Sequence, residues 1–507
     1  MSASKKKQAR KGTDETLQQN TPQETRSHGA LYAIAGVIVV IVVAAVLIWN
    51  SNFFQNRAAA VTINGVEYSA ADVNYYYFNN AQSGAYYYSM MGLYDPAKAP
   101  EDQIFEESSG MTWRDYFLEQ SIENLRQEVA LAAEAEKAGM TLSEENLATI
   151  EQAKLELEAG RVSYGYANVD AYLKANLGSS MTYDKYIKCV ERSALATQYS
   201  NAFAETLTVD QAELDEYYLE NKNTVDTYVT TLFQFQARVE TTDAEGNPIE
   251  MTEEETAAAL DSAKQAVKAK AEALLARLEA GEDAEALAEE FADDLAYSSV
   301  SQRTLGSSLN TNLTQWLFDA ARSNGDAALI DYSSSATLHT YSVVRLEDRF
   351  LDDQATADIR HILVDAGAEP TQDEYAAALA EAEALVEDWK AAGSSEDVFA
   401  QMATEHSADT SSAANGGLLN VSTYDGYGQP FVDWALASER KSGDVGFVKN
   451  DFSVTKGYHI MYYVDAAAPY WQQMAESAIL NVEYSMWQEE IMAGYPAEQA
   501  DGIKYVG

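Results

Sequence analysis

The residues of this chain that are best suited to chemistry lie in one stretch, residues 358–464. Three of the five histidines of the 507-residue chain are there, and two of them, His361 and His459, lie in short apolar runs typical of strands. Asp409 lies between them in the sequence. Two histidines and a carboxylate can form a hydrogen-bond network in which each group sets the tautomer and charge of the next. A plainer interpretation also fits, in which both histidines are buried residues that hold two strands together.

Two other chemistries fit these residues less well. A zinc site would use His406 together with the three residues above, but the chain has neither a cysteine pair nor the His-Glu-x-x-His spacing. Ser411 and Ser412 could suggest a hydrolase, but the chain has no Gly-x-Ser-x-Gly elbow. We therefore expect no metal and no other cofactor, and we expect His406 to lie on a helix surface.

The apolar pattern indicates which elements position these side chains. Residues 359–364 and 457–464 read as strands, and residues 372–391 read as a long helix. A short helix, a loop and a second short helix lie between them. The candidate residues are therefore brought together by strands that are distant in the sequence.

The same order of elements occurs twice in the chain. Three pairs of matching segments define the repeat at an offset of roughly 115–118 residues: 287–294 with 402–409, 313–326 with 431–444, and 341–344 with 458–461. In the first copy, residues 230–238 are the predicted opening strand and residues 256–279 the long helix. Repeats of this length are duplicated domains rather than solenoid units.

The first copy retains one candidate side chain, Asp294 at the position of Asp409. The other positions differ: Ser342 is found at the position of His459, Leu313 at the position of Phe431, and no histidine matches His361. We predict that the first copy is inactive and serves as a binding or spacing domain.

The second copy resembles a parvulin-type peptidyl-prolyl isomerase domain over about 110 residues. The matching residues are Arg360-His361-Ile-Leu-Val, Phe399, Ala403, Ser407-Ala-Asp409, Ser412-Ala, Gly416-Gly417-Leu418, Pro430-Phe431, Ala435, Gly443-Asp444 and Gly457-Tyr-His459-Ile460. The helical region before the repeat resembles the N-terminal domain of PrsA/SurA-like extracytoplasmic foldases.

The resemblance implies a four-stranded antiparallel sheet with surrounding helices, in which His361 and His459 face each other from neighbouring central strands. It implies that Asp409 faces the peptide bond of the substrate, so that the catalytic residues are His361, Asp409 and His459. It also implies three substrate-binding residues around the proline ring: Leu418, Tyr427 and Phe431.

The implied reaction breaks no bond. A Xaa–Pro bond has a small cis/trans gap but a barrier near ~20 kcal/mol, because twisting the amide removes its resonance. An enzyme need only favour the twisted amide over the planar one. The chain departs from the family at Tyr427, usually methionine or leucine, and at the turn Leu418-Leu-Asn420. The alternative function is therefore a non-catalytic holdase chaperone or scaffold with a degenerate parvulin fold.

Residues 31–49 form an uninterrupted apolar run, just long enough to cross a bilayer core of about 30 Å. The basic tail of residues 1–30, which we expect to be disordered, precedes this run. The positive-inside rule then predicts a cytoplasmic N-terminus and an extracytoplasmic bulk. We predict an uncleaved single-pass anchor in the cell membrane, followed by a linker at residues 50–60, because the apolar region of a signal peptide is usually about 7–15 residues.

The charge of the chain argues against a nucleic-acid partner. The formal net charge is −46, and no basic face is visible after residue 30. The expected partners are the membrane, through the anchor, and unfolded secreted polypeptides that contain Xaa–Pro. Monomer and homodimer both stay open. Cys189, the single cysteine, reads as a buried structural thiol.

The predicted fold class is therefore α+β and multidomain. The anchor is followed by four regions: a helical chaperone-like domain at residues 61–222, a degenerate parvulin-like domain at 225–350, a parvulin-type domain at 355–467, and a C-terminal helix and tail at 470–507.

Overall fold

The computed structural model describes residues 40–42, 58–243 and 246–507. The described residues divide into two compact units, one formed by those up to Thr206 together with Met486–Gly507, and the other by those within Leu207–Ser485. The predicted boundaries near residues 222 and 470 differ from this division.

Most of the predicted membrane anchor lies outside the described residues. Of residues 31–49 only 40–42 are described, and residues 1–30 and 50–57 also lie outside. Within the described part of the chain, no helix combines the length and apolar character needed to cross a membrane. The anchor stays a prediction.

The described part of the first unit beyond residue 58 begins with a β-hairpin. β1 (Ala59–Ile63) and β2 (Val66–Ser69) are antiparallel. Between them Asn64 and Gly65 have φ angles of 47° and 79°, the positive values that a two-residue hairpin turn of type I′ requires. β13 (Ala497–Gln499) pairs with the other edge of β1, so the C-terminal tail completes this sheet.

Helices make up most of the first unit: α1 (Ala70–Met90), α2 (Trp113–Lys137), α3 (Glu144–Ser163), α4 (Val169–Leu177) and α5 (Tyr183–Ala204). A small hairpin of β3 (Ile104–Glu106) and β4 (Met111–Thr112) was not predicted. Tyr76 and Tyr77 are buried in the core with Trp113 and Phe117. Burial raises the pKa of the Cys189 thiol to about 12, which agrees with a structural role.

The second unit begins with α6 (Gln211–Val225) and contains two four-stranded antiparallel sheets. The sheet of the first domain consists of β5 (Thr227–Arg238), β6 (Tyr297–Leu305), β7 (Ala327–Ser335) and β8 (Leu338–Phe350), in the order β6-β5-β8-β7. The sheet of the second domain consists of β9 (Ala355–Gly367), β10 (Leu418–Val421), β11 (Val445–Asn450) and β12 (Lys456–Pro469), in the order β10-β9-β12-β11. Both domains thus place their strands in the same relative order, second-first-fourth-third.

Helices flank both sheets. The first domain has α7 (Glu253–Glu279), α8 (Ala284–Glu290) and α9 (Thr311–Leu317). The second has α10 (Gln372–Ala391), α11 (Glu396–His406), α12 (Thr410–Ala413) and α13 (Gln429–Ala435), and α14 (Tyr470–Ala493) follows. The architecture is therefore mixed α+β with four-stranded antiparallel sheets, as predicted.

Alternation along β9 gives the second sheet two different faces. Ile362 packs against α10 and α11 through Trp389 and Phe399. Ala357 and Ile359, on the opposite face of β9, pack around Phe431 of α13 together with Met461. The candidate side chains lie on this second face.

Candidate active site

The two predicted histidines lie side by side on the second sheet. β9 and β12 are neighbouring antiparallel strands, with His361 opposite Met461 and His459 opposite Leu363. Because residues two apart on a strand share a face, these four side chains lie on the same side of the sheet. The Nδ1 atoms of the two histidines are 3.0 Å apart, and both rings are buried, with exposures of 2% and 7%. The facing pair that the family resemblance implied is present.

Asp409 extends this pair on the other side of His361. It is the N-cap residue of α12, and its Oδ2 lies 2.9 Å from His361 Nε2. Two hydrogen bonds fix the preceding loop to β9. Ala408 N donates to Leu363 O at 2.8 Å, and Leu363 N donates to Ser407 Oγ at 3.1 Å. Asp409 is thereby held in register with the strand that contains His361.

Hydroxyl groups surround the Asp409 carboxylate. Ser411 Oγ donates to Oδ1 at 2.6 Å, and Ser412 Oγ donates to Oδ2 at 2.7 Å. Burial raises the pKa of Asp409, but the hydrogen bonds from Ser411 and Ser412, with the nearby His361, outweigh burial and lower it to about 2. The carboxylate is ionised at neutral pH and both oxygens already accept hydrogen bonds. This arrangement suits a fixed charge rather than a nucleophile.

Both imidazoles are neutral at neutral pH. Burial lowers the pKa of His361 against the attraction of Asp409. Burial and repulsion from His361 lower the pKa of His459 to about 3. Because an ionised carboxylate only accepts hydrogen bonds, His361 Nε2 carries the proton, and His361 Nδ1 accepts from the Nδ1–H of His459. The network therefore runs in one direction, from His459 through His361 to Asp409.

The neutral pair predicts a loss of stability in mild acid. As the pH falls below about 6.5, unfolded chains take up a proton on His459, whereas the folded domain does so only near pH 3. The unfolded state binds more protons in this window, so stability rises with pH across it. Between about pH 7 and about pH 4.5, Tm should therefore fall less for His459→Gln than for wild type. The Tm of the control His406→Gln, which changes an exposed histidine, should fall as much as that of wild type. Equal falls in Tm for all three proteins would contradict a neutral histidine pair.

Phe431 lies beneath the histidine pair. Its ring centroid is 5.8 Å from that of His361 and 4.9 Å from that of His459, both edge-to-face. The residue is fully buried, with 0% exposure. Tyr427 covers it, with the ring centroids 5.0 Å apart and the planes at 32°. Phe431 therefore supports the cleft through Tyr427 and does not line it directly, in contrast to the expectation.

An open cleft of about 410 Å³ lies over the network. Its lining includes all three predicted catalytic residues and Tyr427, together with Leu363, Phe452 and residues 453–455. An apolar group held there would lie next to the carboxylate and the imidazoles.

Phe452 is a cleft residue that sequence analysis missed. It packs against Gly428, whose φ of +86° favours glycine and whose Cβ, if present, would lie 2.6 Å from the Phe452 ring and displace it. Asn450 closes the loop that carries Phe452, because its Nδ2 donates to Ser453 Oγ and to Thr455 O, both at 2.6 Å. The only available signal was an aromatic residue shortly before the predicted strand at residues 457–464.

Leu418 is not at the site, and this part of the prediction was wrong. It lies opposite Arg360 in the pairing of β10 with β9, and directly opposite residues share a face. Arg360 precedes His361, so both it and Leu418 lie on the other side of the sheet. Leu419, one residue later, packs against the cluster that contains Phe431.

His406 is separate from the network. It is exposed at the end of α11, and its nearest charged partner is Glu405, at 3.9 Å. Its position on a helix surface agrees with the prediction. Among the described residues, no group of three or more His, Cys, Asp and Glu is arranged to hold a metal.

The first domain presents different chemistry at the same place. Ser342 lies opposite Gln234 in the pairing of β8 with β5, which puts Leu232 at the position of His361. Gln234 Nε2 donates to Ser342 Oγ at 3.3 Å and to Tyr332 Oη at 3.2 Å. Asp294, the retained aspartate, forms an exposed ion pair with Lys270. Neither imidazole position is filled, and the aspartate is engaged elsewhere.

Comparisons with known proteins identify the second domain. Residues 341–466 match the family model described as the PPIC-type PPIase domain, a match that begins within β8. The chain also matches the 1.70 Å crystal structure of the peptidylprolyl isomerase PrsA from Bacillus anthracis, with 18% identity and a TM-score of 0.17. That match covers 28% of this chain and 58% of the PrsA chain. No curated protein matches the chain. On the strength of the family match, the chain contains a parvulin-type peptidyl-prolyl cis/trans isomerase domain at residues 341–466.

Proposed function

We propose that this chain isomerises Xaa–Pro bonds in extended, unfolded secreted polypeptides, and that residues 31–49 anchor it in the cell membrane with the bulk outside. The observation that supports the isomerase activity most strongly is the network of His361, Asp409 and His459 at an open cleft. An open cleft accepts a segment of continuous chain, whereas a closed pocket would accept only a free small molecule.

The walls of the cleft suit a proline ring. Tyr427 and Phe452 offer aromatic surface and Leu363 offers aliphatic surface. Tyr427 is held from behind by the buried Phe431 ring. Apolar contact on the ring leaves the preceding carbonyl free to rotate, because the ring is then the fixed end of the amide.

The polar side of the cleft acts electrostatically. Twisting the amide ends its resonance and redistributes charge between the carbonyl and the nitrogen, so a fixed field can stabilise the twisted form more than the planar one. Asp409 provides a partly buried charge whose position is set by Ser411, Ser412 and His361. Because His361 and His459 stay neutral, no proton has to move during the reaction.

Ser412, which was not among the predicted site residues, should matter to this field. Its hydroxyl is buried and bridges the network, 2.9 Å from His361 Nε2 and 2.7 Å from Asp409 Oδ2. We expect Ser412→Ala to lower kcat/KM about tenfold, because hydrogen bonds to charged groups contribute about 1.5–3 kcal/mol. It should also move the acid limb of the pH profile upward, since the pKa of Asp409 rises when a donor is lost. Ser412→Thr, which keeps the hydroxyl, should recover most of the rate. An unshifted acid limb of the pH profile for Ser412→Ala would contradict the role of Ser412 as a donor to Asp409.

The first unit supplies a surface for a chaperone contribution. Seven apolar side chains are exposed around the end of α1 and the β3–β4 hairpin, with Tyr86 at 70% and Met90 at 73% exposure: Tyr86, Tyr87, Met90, Met91, Leu93, Ile104 and Phe105. Adaptable methionine and aromatic surface suits many apolar segments without a fixed sequence. We propose that this patch binds extended polypeptide.

The same patch favours the second candidate function, a holdase without catalysis. The two functions separate in a paired experiment on the full chain and His459→Ser, which installs the residue of the first domain. Xaa–Pro exchange should fall toward the buffer rate while suppression of client aggregation is retained. If wild-type exchange equals the buffer rate and aggregation is still suppressed, the holdase function is correct.

A further inference from the structure

The loop that supplies Tyr427 to the cleft consists of residues 422–428 and connects β10 to α13. Asp425 braces its first half, accepting hydrogen bonds from Ser422 N at 2.5 Å and from Ser422 Oγ at 2.9 Å. Gly426 and Gly428 flank Tyr427, and Gly428 has a positive φ. Glycines on both sides give Tyr427 little backbone restraint of its own.

A second tyrosine of this loop, Tyr424, contacts the first domain. Its hydroxyl donates to Asp352 Oδ2 at 3.0 Å and is also hydrogen-bonded to Thr227 Oγ1. Its ring packs on Tyr470, with the centroids 5.3 Å apart. Because the Tyr424 hydroxyl donates to a carboxylate, Thr227 is the donor in the other bond. Burial raises the pKa of Tyr424 to about 12, so the hydroxyl keeps its proton.

Asp352, in the segment between the two sheets, is the point where these contacts meet. Its Oδ2 accepts from Thr423 Oγ1 at 3.1 Å and from Tyr424 at 3.0 Å. Arg303 of β6 forms an ion pair with the same oxygen at 2.9 Å. The Asp352 side chain is 11% exposed and that of Arg303 is 41% exposed. Two consecutive residues of the loop are thus tied to one carboxylate that the first domain holds in place.

We propose that the first domain is a positioning partner for the active site of the second. Thr227 and Arg303 would hold Asp352 and Tyr424, and thereby keep Tyr427 on Phe431 at the proline side of the cleft. The proposal rests on the isomerase function proposed above. It gives the catalytically degenerate copy a task that needs none of the residues it lacks.

The geometry assigns this contact to substrate binding rather than to the catalytic field. Tyr427 is a wall of the cleft, whereas Asp409 is fixed independently by α12 and by the loop bonded to β9. Loosening the 422–428 loop should therefore weaken binding of the proline residue and leave the chemical step almost intact, which appears in KM and not in kcat.

The test uses the full chain with Tyr424→Phe, which removes one hydroxyl and keeps the ring, and with Arg303→Gln. Each variant should raise KM for a Xaa–Pro peptide about fivefold and keep kcat within about twofold of wild type. This is the result expected when an interaction that binds substrate and transition state equally is lost. Hydrogen exchange of the amides of residues 422–428 should become faster, while exchange in β9 and β12 stays unchanged. Arg303→Lys, which keeps the charge, should restore most of both properties.

The matched control is Arg277→Gln. Arg277 is another arginine of the first domain, and its ion pairs with Glu282 and Glu290 are remote from the loop in the contacts they make. This variant makes the same change of charge and should leave KM and loop exchange at the wild-type values.

Two outcomes separate this inference from the function on which it rests. If wild type is active, and Tyr424→Phe and Arg303→Gln change neither KM nor exchange in the 422–428 loop, the positioning role is wrong and the isomerase stands. If wild type is inactive, the proposed function fails, and loop exchange alone decides: faster exchange in both variants supports the positioning contact, and unchanged exchange overturns it.

Discussion

Asp409→Ala should lower kcat/KM for Xaa–Pro isomerisation about 100-fold, the size of effect seen when one pre-organised electrostatic group is removed from an active site. The carboxylate is ionised, is held by two serine hydroxyls, and lies 2.9 Å from His361 Nε2. Its removal deletes the only ionised group among these hydrogen-bonded residues and leaves the neutral Ser412 Oγ, 2.9 Å away, as the neighbouring acceptor for His361 Nε2–H. The loss should appear mainly in kcat, because the charge acts on the twisted amide.

The control for this variant is Asp294→Ala, at the matching position of the first domain. Asp294 forms an ion pair with Lys270 at a site where both side chains are exposed by more than a third, and such surface pairs contribute little to stability. Activity should be unchanged. Equal activity of wild type and Asp409→Ala, with the second domain folded, would contradict the electrostatic role.

Phe431→Ala should destabilise the second domain by about 3–5 kcal/mol, the range for deleting a buried phenylalanine side chain. Phe431 is fully buried, and its ring contacts His361, His459 and Tyr427. The cavity would lie beneath the histidine pair, so activity should fall with stability. Because single domains are stable by only about 5–15 kcal/mol, part of the domain's population should unfold near physiological temperature.

Native-state hydrogen exchange of β9 and β12 amides measures this change within one domain of a long chain. Phe447→Ala is the matched control, since Phe447 lies on β11 of the same sheet and is 39% exposed. Phe447→Ala should lower the stability of the domain by less than about 1 kcal/mol, because it removes less buried apolar surface than Phe431→Ala does. If the β9 and β12 amides are equally protected from hydrogen exchange in wild type and Phe431→Ala, Phe431 is not part of the core.

The sequence allowed the general arrangement of the second domain to be predicted because its signals are periodic or repeated. His361 and His459 lie in apolar runs typical of strands, and the repeat showed that two domains share the same order of elements along the chain. The facing of the two histidines, whose Nδ1 atoms are 3.0 Å apart, was implied by the family resemblance. Asp409 could be placed as well, because it lies in the short connection after α11 and is the residue at which α12 begins.

The rest depended on register and loop conformation, which leave little trace in a single sequence. Leu418 was assigned to the cleft, but Leu419 is the residue on that side of the sheet, because a shift of one residue along a strand exchanges the two faces of the sheet. Phe452 and Tyr424 lie in loops without periodicity, and their roles depend on contacts with residues distant in the sequence. Phe431 is an intermediate case. It was predicted to belong to the site, but the packing of Tyr427 over its ring could not be predicted from the sequence.

The most direct test is two-dimensional NMR exchange spectroscopy of a short Xaa–Pro peptide with the full chain, wild type and Asp409→Ala side by side. Uncatalysed exchange takes tens of seconds or longer. The wild-type chain should give cis–trans exchange cross-peaks on a much shorter timescale, and Asp409→Ala should give none. Exchange at the buffer rate with wild type, while hydrogen exchange reports a folded second domain, would contradict an active isomerase.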